Sequence, residues 1–349
     1  MTKKISFPKI KRNTFVSILA LSILVLASPL AVSAYTSPNH ISSHTRVGTM
    51  GVFASSLPQN VLNKMLASTS KGGNSIPSEL CSIPSGDLST GIFASGKKAA
   101  FVEDWSTGNL FYCTGDTATL VADAPSGLSS YGYFGMGGVK TSSGVDLLLI
   151  SWNIKAGWYC MGATSTGCVS QTSFVLPTTF CASEPSGSCT PDGVVLSKSM
   201  AFTYVDVNNA QMVSCKASAT ACVVDPASSA FSGYLPVGLT FAKGTFYATD
   251  ESCTGNVWSG TKSSMSSIAQ VGDLLEGVAV SKHNVGKVPE LYIGDTGFCT
   301  GNPMKIVDLT DGGTVPTGAT GSTEVVGIST ALQFTMTDQG TAWVTADTS

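Results

Sequence analysis

The chain of 349 residues is sparsely charged: Asp, Glu, Lys and Arg make up 12% of it, and the formal net charge is −3. Hydrophobic residues make up 43%, and 37 residues are glycine. Because enough apolar residues remain to form a core, this composition favours a rigid extracellular β-protein rich in turns over a disordered chain. The length would allow two domains, but repeat architectures of this size commonly form one.

The N-terminus has the order of a secretory signal peptide. Residues 1–13 carry five basic residues, residues 15–26 are mostly apolar, and small residues precede Ala34. This pattern predicts cleavage after Ala34. The apolar run is shorter than the roughly 20 residues of a membrane-spanning helix, the alternative reading. Cleavage leaves 14 basic residues against 22 acidic ones, a net charge of about −8, which argues against nucleic acid or an anionic membrane as the main partner. We therefore expect a secreted protein, periplasmic or extracellular, with no membrane span after cleavage.

Residues 35–77 are predicted to be an N-terminal extension. A short amphipathic helix is expected within it, followed by a flexible linker rich in Ser and Gly at residues 68–75. The helix either packs against the body of the protein or binds a partner. Its apolar positions follow helical spacing: Leu57, Val61, Leu62, Met65 and Leu66.

From residue 78 onward the pattern is that of short strands, and one phrase recurs six times. Each copy starts with a glycine, continues through two apolar strands and ends in Asp or Asn, with glycines 39 to 55 residues apart. This is the length of a four-stranded propeller blade. The sequence predicts an all-β fold over residues 78–349, a six-bladed β-propeller; a pair of β-sandwiches or a β-helix is the alternative. The repeat glycines are Gly91, Gly138, Gly193, Gly238, Gly277 and Gly327.

The sixth copy ends before a fourth strand. An open edge at that point would invite aggregation, so another segment must complete the last blade. Two segments are candidates for an N-terminal strand that closes the ring: residues 46–54 and the stretch around Leu80.

Ten cysteines in a secreted chain are expected to be mostly paired. Close spacing around a turn predicts three local bridges, and the remaining four cysteines are assigned less directly: one pair ties the segment before the first blade onto it, and the other links neighbouring blades. The predicted local bridges are Cys160–Cys168, Cys215–Cys222 and Cys181–Cys189. The exact pairing of the other four stays open, with Cys81–Cys113 and Cys253–Cys299 as the favoured arrangement.

The acidic ends of the six repeats fall after the second strand of each blade, on one face of a propeller. They form either a ring of ligands or, more simply, a set of turn caps, because Asp and Asn bond their own backbone two residues on. Strict repetition favours turn caps. Glu276 departs from the repeat and is expected to point at the channel mouth. The repeated positions are Asp104, Asn153, Asp206, Asp250, Asp295 and Asp338.

The phrases around Gly238 and Gly277 resemble the blades of NHL-repeat and SMP-30/gluconolactonase-like six-bladed propellers, most closely over residues 235–299. The resemblance to gluconolactonase-like enzymes implies one divalent cation such as calcium, with Glu276, Asn153 and Asp206 as ligands and Asp250 as an alternative to Asp206. The Glu-Gly phrase lies in the fifth copy here, whereas that family has it in the first. Streptogramin-lyase-like propellers require catalytic histidines, and His283 is the only histidine in the repeats.

No catalytic set is recognisable in the sequence, so we expect a binding or interaction protein. Its ligand, a protein, peptide or glycan, would contact the loop face that carries the acidic positions. Trp105 and Trp152 adjoin these positions, where they either stack on a ligand or pack between blades. A metal-dependent hydrolase of the lactonase type is the alternative function, and a structural surface protein is a third. The tentative ligand-binding residues are Glu276, Asn153, Asp206, Asp250, Asp295, Trp105 and Trp152.

Overall fold

The repeats fold as four-stranded antiparallel sheets in the computed structural model. The structure describes residues 45–50, 78–83, 91–96, 98–104, 107–114, 117–128, 133–151, 155–177, 190–271, 274–285, 288–295, 299, 305–310, 322–324, 330–336 and 342–347. Within these residues, 24 strands form six sheets. Residues 43–349 make up one compact unit.

Five of the sheets are built from consecutive strands, and we call them blades 1 to 5. Blade 1 comprises β3 (Ile92–Gly96), β4 (Ala99–Glu103), β5 (Leu110–Thr114) and β6 (Thr117–Ala122). Blade 2 comprises β7 (Tyr133–Thr141), β8 (Gly144–Ser151), β9 (Ala156–Ala163) and β10 (Ser170–Val175). Blade 3 comprises β11 (Pro191–Leu196), β12 (Phe202–Asp206), β13 (Gln211–Cys215) and β14 (Cys222–Val224). Blade 4 comprises β15 (Pro236–Ala242), β16 (Thr245–Asp250), β17 (Asn256–Thr261) and β18 (Ser264–Gln270). Blade 5 comprises β19 (Leu275–Val285), β20 (Val288–Asp295), β21 (Lys305–Thr310) and β22 (Ser322–Glu324).

The sixth sheet, the closing blade, joins the two ends of the chain. Its strands are β23 (Thr330–Met336), β24 (Ala342–Asp347), β1 (Thr45–Met50) and β2 (Ser78–Ser82), in that order. Strand β1 pairs antiparallel with β24, and β2 pairs with β1. The predicted closure is confirmed. The sixth repeat supplies two strands of this blade rather than the three expected, so both candidate segments take part, one as the third strand and one as the fourth. Strand β1 also lies inside residues 35–77, so the propeller takes in part of the predicted extension.

The first strands of the blades line the centre. Each contacts the first strand of the next blade, in the order β3, β7, β11, β15, β19, β23 and back to β3. This closed ring of contacts is the arrangement of a β-propeller with four-stranded blades. The fold predicted from the repeat is therefore confirmed.

The repeat glycine allows these first strands to approach closely. A Cβ atom on Gly193 in β11 would come within 3.0 Å of the backbone nitrogen of Leu239 and the carbonyl oxygen of Val237 in β15. A Cβ atom on Gly238 would meet the carbonyl oxygen of Glu276 in β19 and the Thr249 hydroxyl in the same way. Glycine is required at both positions because backbone packs directly on backbone.

The second strands are buried on both faces, which explains their continuous apolar runs. In β8, Leu147 and Leu149 pack in a core cluster shared with blade 1. Leu148 and Ile150 point to the opposite side and pack in a cluster shared with blade 3. All four side chains are fully buried. Alternate residues of one strand thus supply the hydrophobic layers on both sides of the blade.

Four disulfides link the described residues: two of the predicted local bridges and both of the favoured longer-range pairs. Cys160–Cys168 and Cys215–Cys222 each close the outer hairpin of one blade. Cys81–Cys113 ties β2 of the closing blade to β5 of blade 1. Cys253–Cys299 joins the connection after β16 to the connection after β20. The predicted Cys181–Cys189 bridge lies outside the described residues.

Two further predictions from the sequence concern helices. The amphipathic helix of residues 57–66 and the signal peptide lie outside the described residues. Where the chain is described, no helix is long and apolar enough to span a membrane.

Candidate functional site

Three of the repeated aspartates, Asp104, Asp206 and Asp250, cap turns. In Asp206, at the end of β12, Oδ1 accepts hydrogen bonds from the backbone N–H groups of Thr190 (3.1 Å) and Asn209 (3.4 Å). Its Oδ2 accepts one from the Asn209 side-chain amide at 2.9 Å. Thr190 directly precedes β11, so Asp206 ties the end of the second strand to the start of the first strand.

Asp250 repeats this arrangement at the end of β16. Its Oδ1 accepts from the backbone N–H groups of Leu235 and Ser252, both at 3.0 Å, and Leu235 directly precedes β15. Its Oδ2 accepts from the hydroxyl of Thr254 at 2.8 Å and from that of Ser252. In blade 1, the Thr107 hydroxyl donates to Asp104 Oδ2 at 2.8 Å. These bonds support the turn-cap interpretation of the repeat and leave Asp206 and Asp250 little capacity for a ligand.

The remaining predicted site residues are distributed as follows. Asp295, at the end of β20, is buried. Asn153, Asp338, Trp105 and Trp152 lie outside the described residues. Where side chains are described, no three His, Cys, Asp or Glu residues are arranged to hold a metal ion.

Glu276 has acidic neighbours that the repeat pattern did not indicate. Glu276 is the second residue of β19, Asp192 is the second residue of β11, and Glu251 directly follows β16. The three therefore lie where first strands begin or a second strand ends, at one end of the channel, and their charges repel one another. We call these three residues the acidic mouth.

Burial raises the pKa of each carboxyl group in the acidic mouth, and the charge of at least one neighbouring carboxylate adds to the effect. For Glu276, burial raises the pKa well above its ordinary value, and the charges of Glu251 and Asp192 add to the effect. For Asp192, burial again comes first, followed by the charge of Glu251, while a hydrogen bond from the Gly193 backbone acts in the opposite direction. Burial, with the charge of Asp250, raises the pKa of Glu251 to about 7.

Unlike the carboxyl groups of Asp206 and Asp250, those of Glu251 and Glu276 do not accept the hydrogen bonds that hold a turn. Although burial dominates their pKa values, both glutamates keep part of their surface accessible to solvent. No hydrogen bond between described residues ends on either carboxyl group. Glu276 contributes its backbone carbonyl instead, which accepts from the Thr249 hydroxyl across the interface of blades 4 and 5. The two side chains therefore remain able to bind an incoming group, above all a cation or a hydrogen-bond donor.

These raised pKa values predict that the protein is more stable in mild acid. The folded state binds more protons than the unfolded chain between pH 4.5, the ordinary value for Glu, and about 7, the value for Glu251. The free energy of unfolding therefore falls as the pH rises through this window, by on the order of 1–3 kcal/mol. Thermal denaturation should give a melting temperature several degrees lower at pH 8 than at pH 5.

Changing both Glu251 and Glu276 to Gln removes two of the titrating groups and should flatten this dependence. A wild-type melting temperature equal or higher at pH 8 would contradict the prediction.

The sequence pointed to Glu276 but not to Asp192 or Glu251, although Asp192 stands at a recognisable position. Asp192 and Glu276 both stand directly before a repeat glycine, in Asp192-Gly193 and Glu276-Gly277. Blade 4 has the buried Val237 at this position. No comparable position in the sequence marks Glu251, because the direction of its side chain depends on the turn that follows Asp250.

The comparisons with known proteins identify the fold. Neither a family model nor a curated protein matches the chain. Among solved structures, the chain is similar to a streptogramin B lyase, with a TM-score of 0.53 and 12% identity over 90% of this chain and 93% of that one. The chain is a β-propeller. At this identity, the likeness establishes the fold alone and no narrower group.

Two further solved structures are more distant. A virginiamycin B lyase from Staphylococcus aureus has a TM-score of 0.49 and 11% identity over 78% of this chain and 85% of that chain. A chain in a nidogen/laminin complex has a TM-score of 0.47 and 13% identity over 80% of this chain and 96% of that chain.

Proposed function

We propose that the protein is a secreted binding protein whose ligand contacts the propeller face around the acidic mouth. One observation carries this proposal: Asp192, Glu251 and Glu276 converge from three successive blades, and the carboxyl groups of the two glutamates accept no hydrogen bond from the described residues. The four disulfides support secretion, because such bonds persist in oxidising compartments.

The acidic mouth favours a ligand with a cationic group, which we infer to be a Lys or Arg side chain of a peptide or protein. An ammonium or guanidinium group among three carboxyl groups would relieve their mutual repulsion and satisfy the unused acceptors. The surrounding turns are held by Asp206, Asp250 and the Cys253–Cys299 bridge. A site whose walls are fixed in advance loses little entropy on binding.

The charge of such a ligand gives the binding a thermodynamic signature. At pH 7, Glu251 is partly protonated, because its pKa is about 7. A bound cation lowers that pKa, so binding releases protons. Titration calorimetry in two buffers of different ionisation enthalpy should then give different apparent enthalpies.

The test is an array of Lys- and Arg-containing peptides probed with the mature protein, with acidic peptides and neutral glycans on the same array. We expect selective retention of basic peptides, and a dissociation constant at least tenfold higher for the Glu251→Gln/Glu276→Gln double variant. Asp123→Asn is the matched control, because Asp123 is exposed and follows β6, outside the acidic mouth. Binding of basic peptides that is absent, or equal in the wild type and the double variant, overturns the proposal.

A calcium titration distinguishes this proposal from the alternative function, a metal-dependent hydrolase. In the lactonase-type hydrolase, calcium would raise the melting temperature, and Glu276→Gln would abolish that rise. Of the three ligands implied by the resemblance, Asp206 already uses both carboxylate oxygens in its turn. We therefore expect no Glu276-dependent stabilisation by calcium; observing it would overturn the binding-protein proposal in favour of the hydrolase.

A further inference from the structure

The first strands of the blades run parallel to one another, which gives the propeller two distinct faces. Gly135 in β7 faces Asp192 and Val194 in β11, and Gly137, two residues on, faces Val194 and Leu196. Residue numbers increase together across the interface, so the strands point the same way. The turns between first and second strands, and between third and fourth strands, therefore emerge opposite to the acidic mouth.

That opposite face carries nearly all of the lysines whose side chains are described. Six of the seven lie in or beside these turns, and all six are exposed. The exception is Lys155, which is half-buried and precedes β9, on the side of the acidic mouth. We call the six the lysine face: Lys98, Lys140, Lys198, Lys216, Lys243 and Lys262.

Among the residues whose side chains are described, no exposed acid accompanies these lysines. Of the acids whose side chains are described, three lie near these turns: Asp146 in β8 and Glu290 in β20 are half-buried, and Asp225, after β14, is buried. Asp146 Oδ1 accepts from the backbone of Gly162 at 2.8 Å, and Glu290 Oε2 accepts from the Tyr292 hydroxyl at 3.2 Å. The buried Asp225 lies near Lys262. Each of these three acids is thus at least half-buried.

Among the residues whose side chains are described, the acidic mouth and the lysine face therefore lie on opposite faces of the propeller. The net charge of the chain does not reveal this separation.

Hydroxyl groups accompany the lysines. Ser197 and Ser199 flank Lys198, and their hydroxyl oxygens lie 2.9 Å apart. Thr261 and Ser263 flank Lys262 in the same way, at 2.8 Å. Ser197 and Ser199 belong to blade 3, and Thr261 and Ser263 belong to blade 4, so the arrangement recurs in two neighbouring blades. These groups can exchange hydrogen bonds with a polar ligand that the lysines attract.

An exposed aromatic ring completes the surface on blade 4. Phe241, near the end of β15 and two residues before Lys243, is 46% exposed. Its ring contacts that of Phe246 at a centroid distance of 4.6 Å, and the Lys262 ammonium group lies 5.7 Å from the Phe246 ring centre. An aromatic ring held at the surface beside cations and hydroxyls is suited to contact with a sugar ring.

We propose that the lysine face binds an anionic polysaccharide, a linear sugar polymer that carries sulfate, phosphate or carboxylate groups. Lysine is a hydrated point charge that accepts anions from many directions, and six of them spread over four blades match charges repeated along a polymer. The hydroxyl pairs and Phe241 supply contacts to the sugar. They favour a polysaccharide over a lipid bilayer, which would call for a larger apolar surface.

Heparin is the probe, with neutral dextran as the uncharged control. We expect the mature protein to bind heparin and not dextran, with an affinity that falls steeply as salt is added. The variant Lys198→Gln/Lys216→Gln/Lys243→Gln should bind at least tenfold more weakly and with a shallower salt dependence. Lys155→Gln is the matched control and should bind as the wild type does.

Three outcomes overturn this proposal: no heparin binding by the wild type, equal binding by the triple variant, or tighter binding to phosphatidylglycerol vesicles than to heparin. Because the three lysines are exposed, the melting temperature of the triple variant should equal that of the wild type. The single variant Lys198→Gln, with an intermediate affinity, serves as a second measure. The Glu251→Gln/Glu276→Gln variant should retain heparin binding, which keeps this test independent of the acidic mouth.

Discussion

Replacing Gly193 with Ala is expected to lower the free energy of unfolding by about 3 kcal/mol, the upper part of the range for overpacked interiors. The added methyl group would overlap the backbone of Leu239 and Val237 in the neighbouring first strand. A flexible side chain could move aside, but a strand that is hydrogen-bonded within its own sheet cannot do so without shifting the whole blade. Chemical denaturation at constant pH measures the change.

Gly96→Ala is the matched control. Gly96 ends β3, also a first strand, and nothing lies within 4 Å of the position that a Cβ atom would take. Alanine there should leave stability unchanged or raise it slightly, because it restricts the unfolded chain. Equal losses of stability in the two variants would mean that the effect at Gly193 is not caused by contact between blades.

Removing the Cys81–Cys113 bridge by changing both residues to Ser is expected to cost about 3–4 kcal/mol by the chain-entropy estimate. The bridge spans 32 residues and joins the closing blade to blade 1, both cysteines being fully buried. Without the bridge, the interface between the closing blade and blade 1, which we call the seam, is no longer covalently linked. Hydrogen exchange should therefore accelerate in β1 and β2 before it does in blades 2 to 4.

The Cys215–Cys222 pair provides the comparison. It spans 7 residues within one hairpin of blade 3, so its removal should cost less and affect exchange only locally. A larger loss from the hairpin pair, or uniform exchange throughout the Cys81/Cys113 variant, would contradict a special role of the seam.

The sequence predicts the architecture because each blade repeats the same requirements. Gly193 and Gly238 recur where backbone meets backbone, and the run Leu147 to Ile150 is apolar because both of its faces are covered. Closure could be predicted by counting strands, because the last repeat has too few for a four-stranded blade and the segments before the first repeat are the available source of the others.

The candidate site could be predicted only in part. Glu276 was found because it interrupts a pattern, and Asp192 occupies the equivalent position two blades earlier. Glu251 follows Asp250 directly, yet one carboxylate is consumed in its turn and the other is not. Which of two adjacent acids faces the channel depends on the path of the turn, and one sequence does not specify it. The lysine face likewise emerges only when the turns are placed on a common side.

The closing blade couples the order of synthesis to the order of folding. Strand β1 pairs with β24, about 300 residues later in the chain, while β2 is linked to β5 by a bridge between cysteines 32 residues apart. Strands β1 and β2 can therefore be linked to blade 1 early in synthesis. The edge of β1 that pairs with β24 then stays unpaired until the last strands have been synthesised. Such an edge is prone to pairing with other chains, so the interval before ring closure is when the nascent protein is most exposed to aggregation.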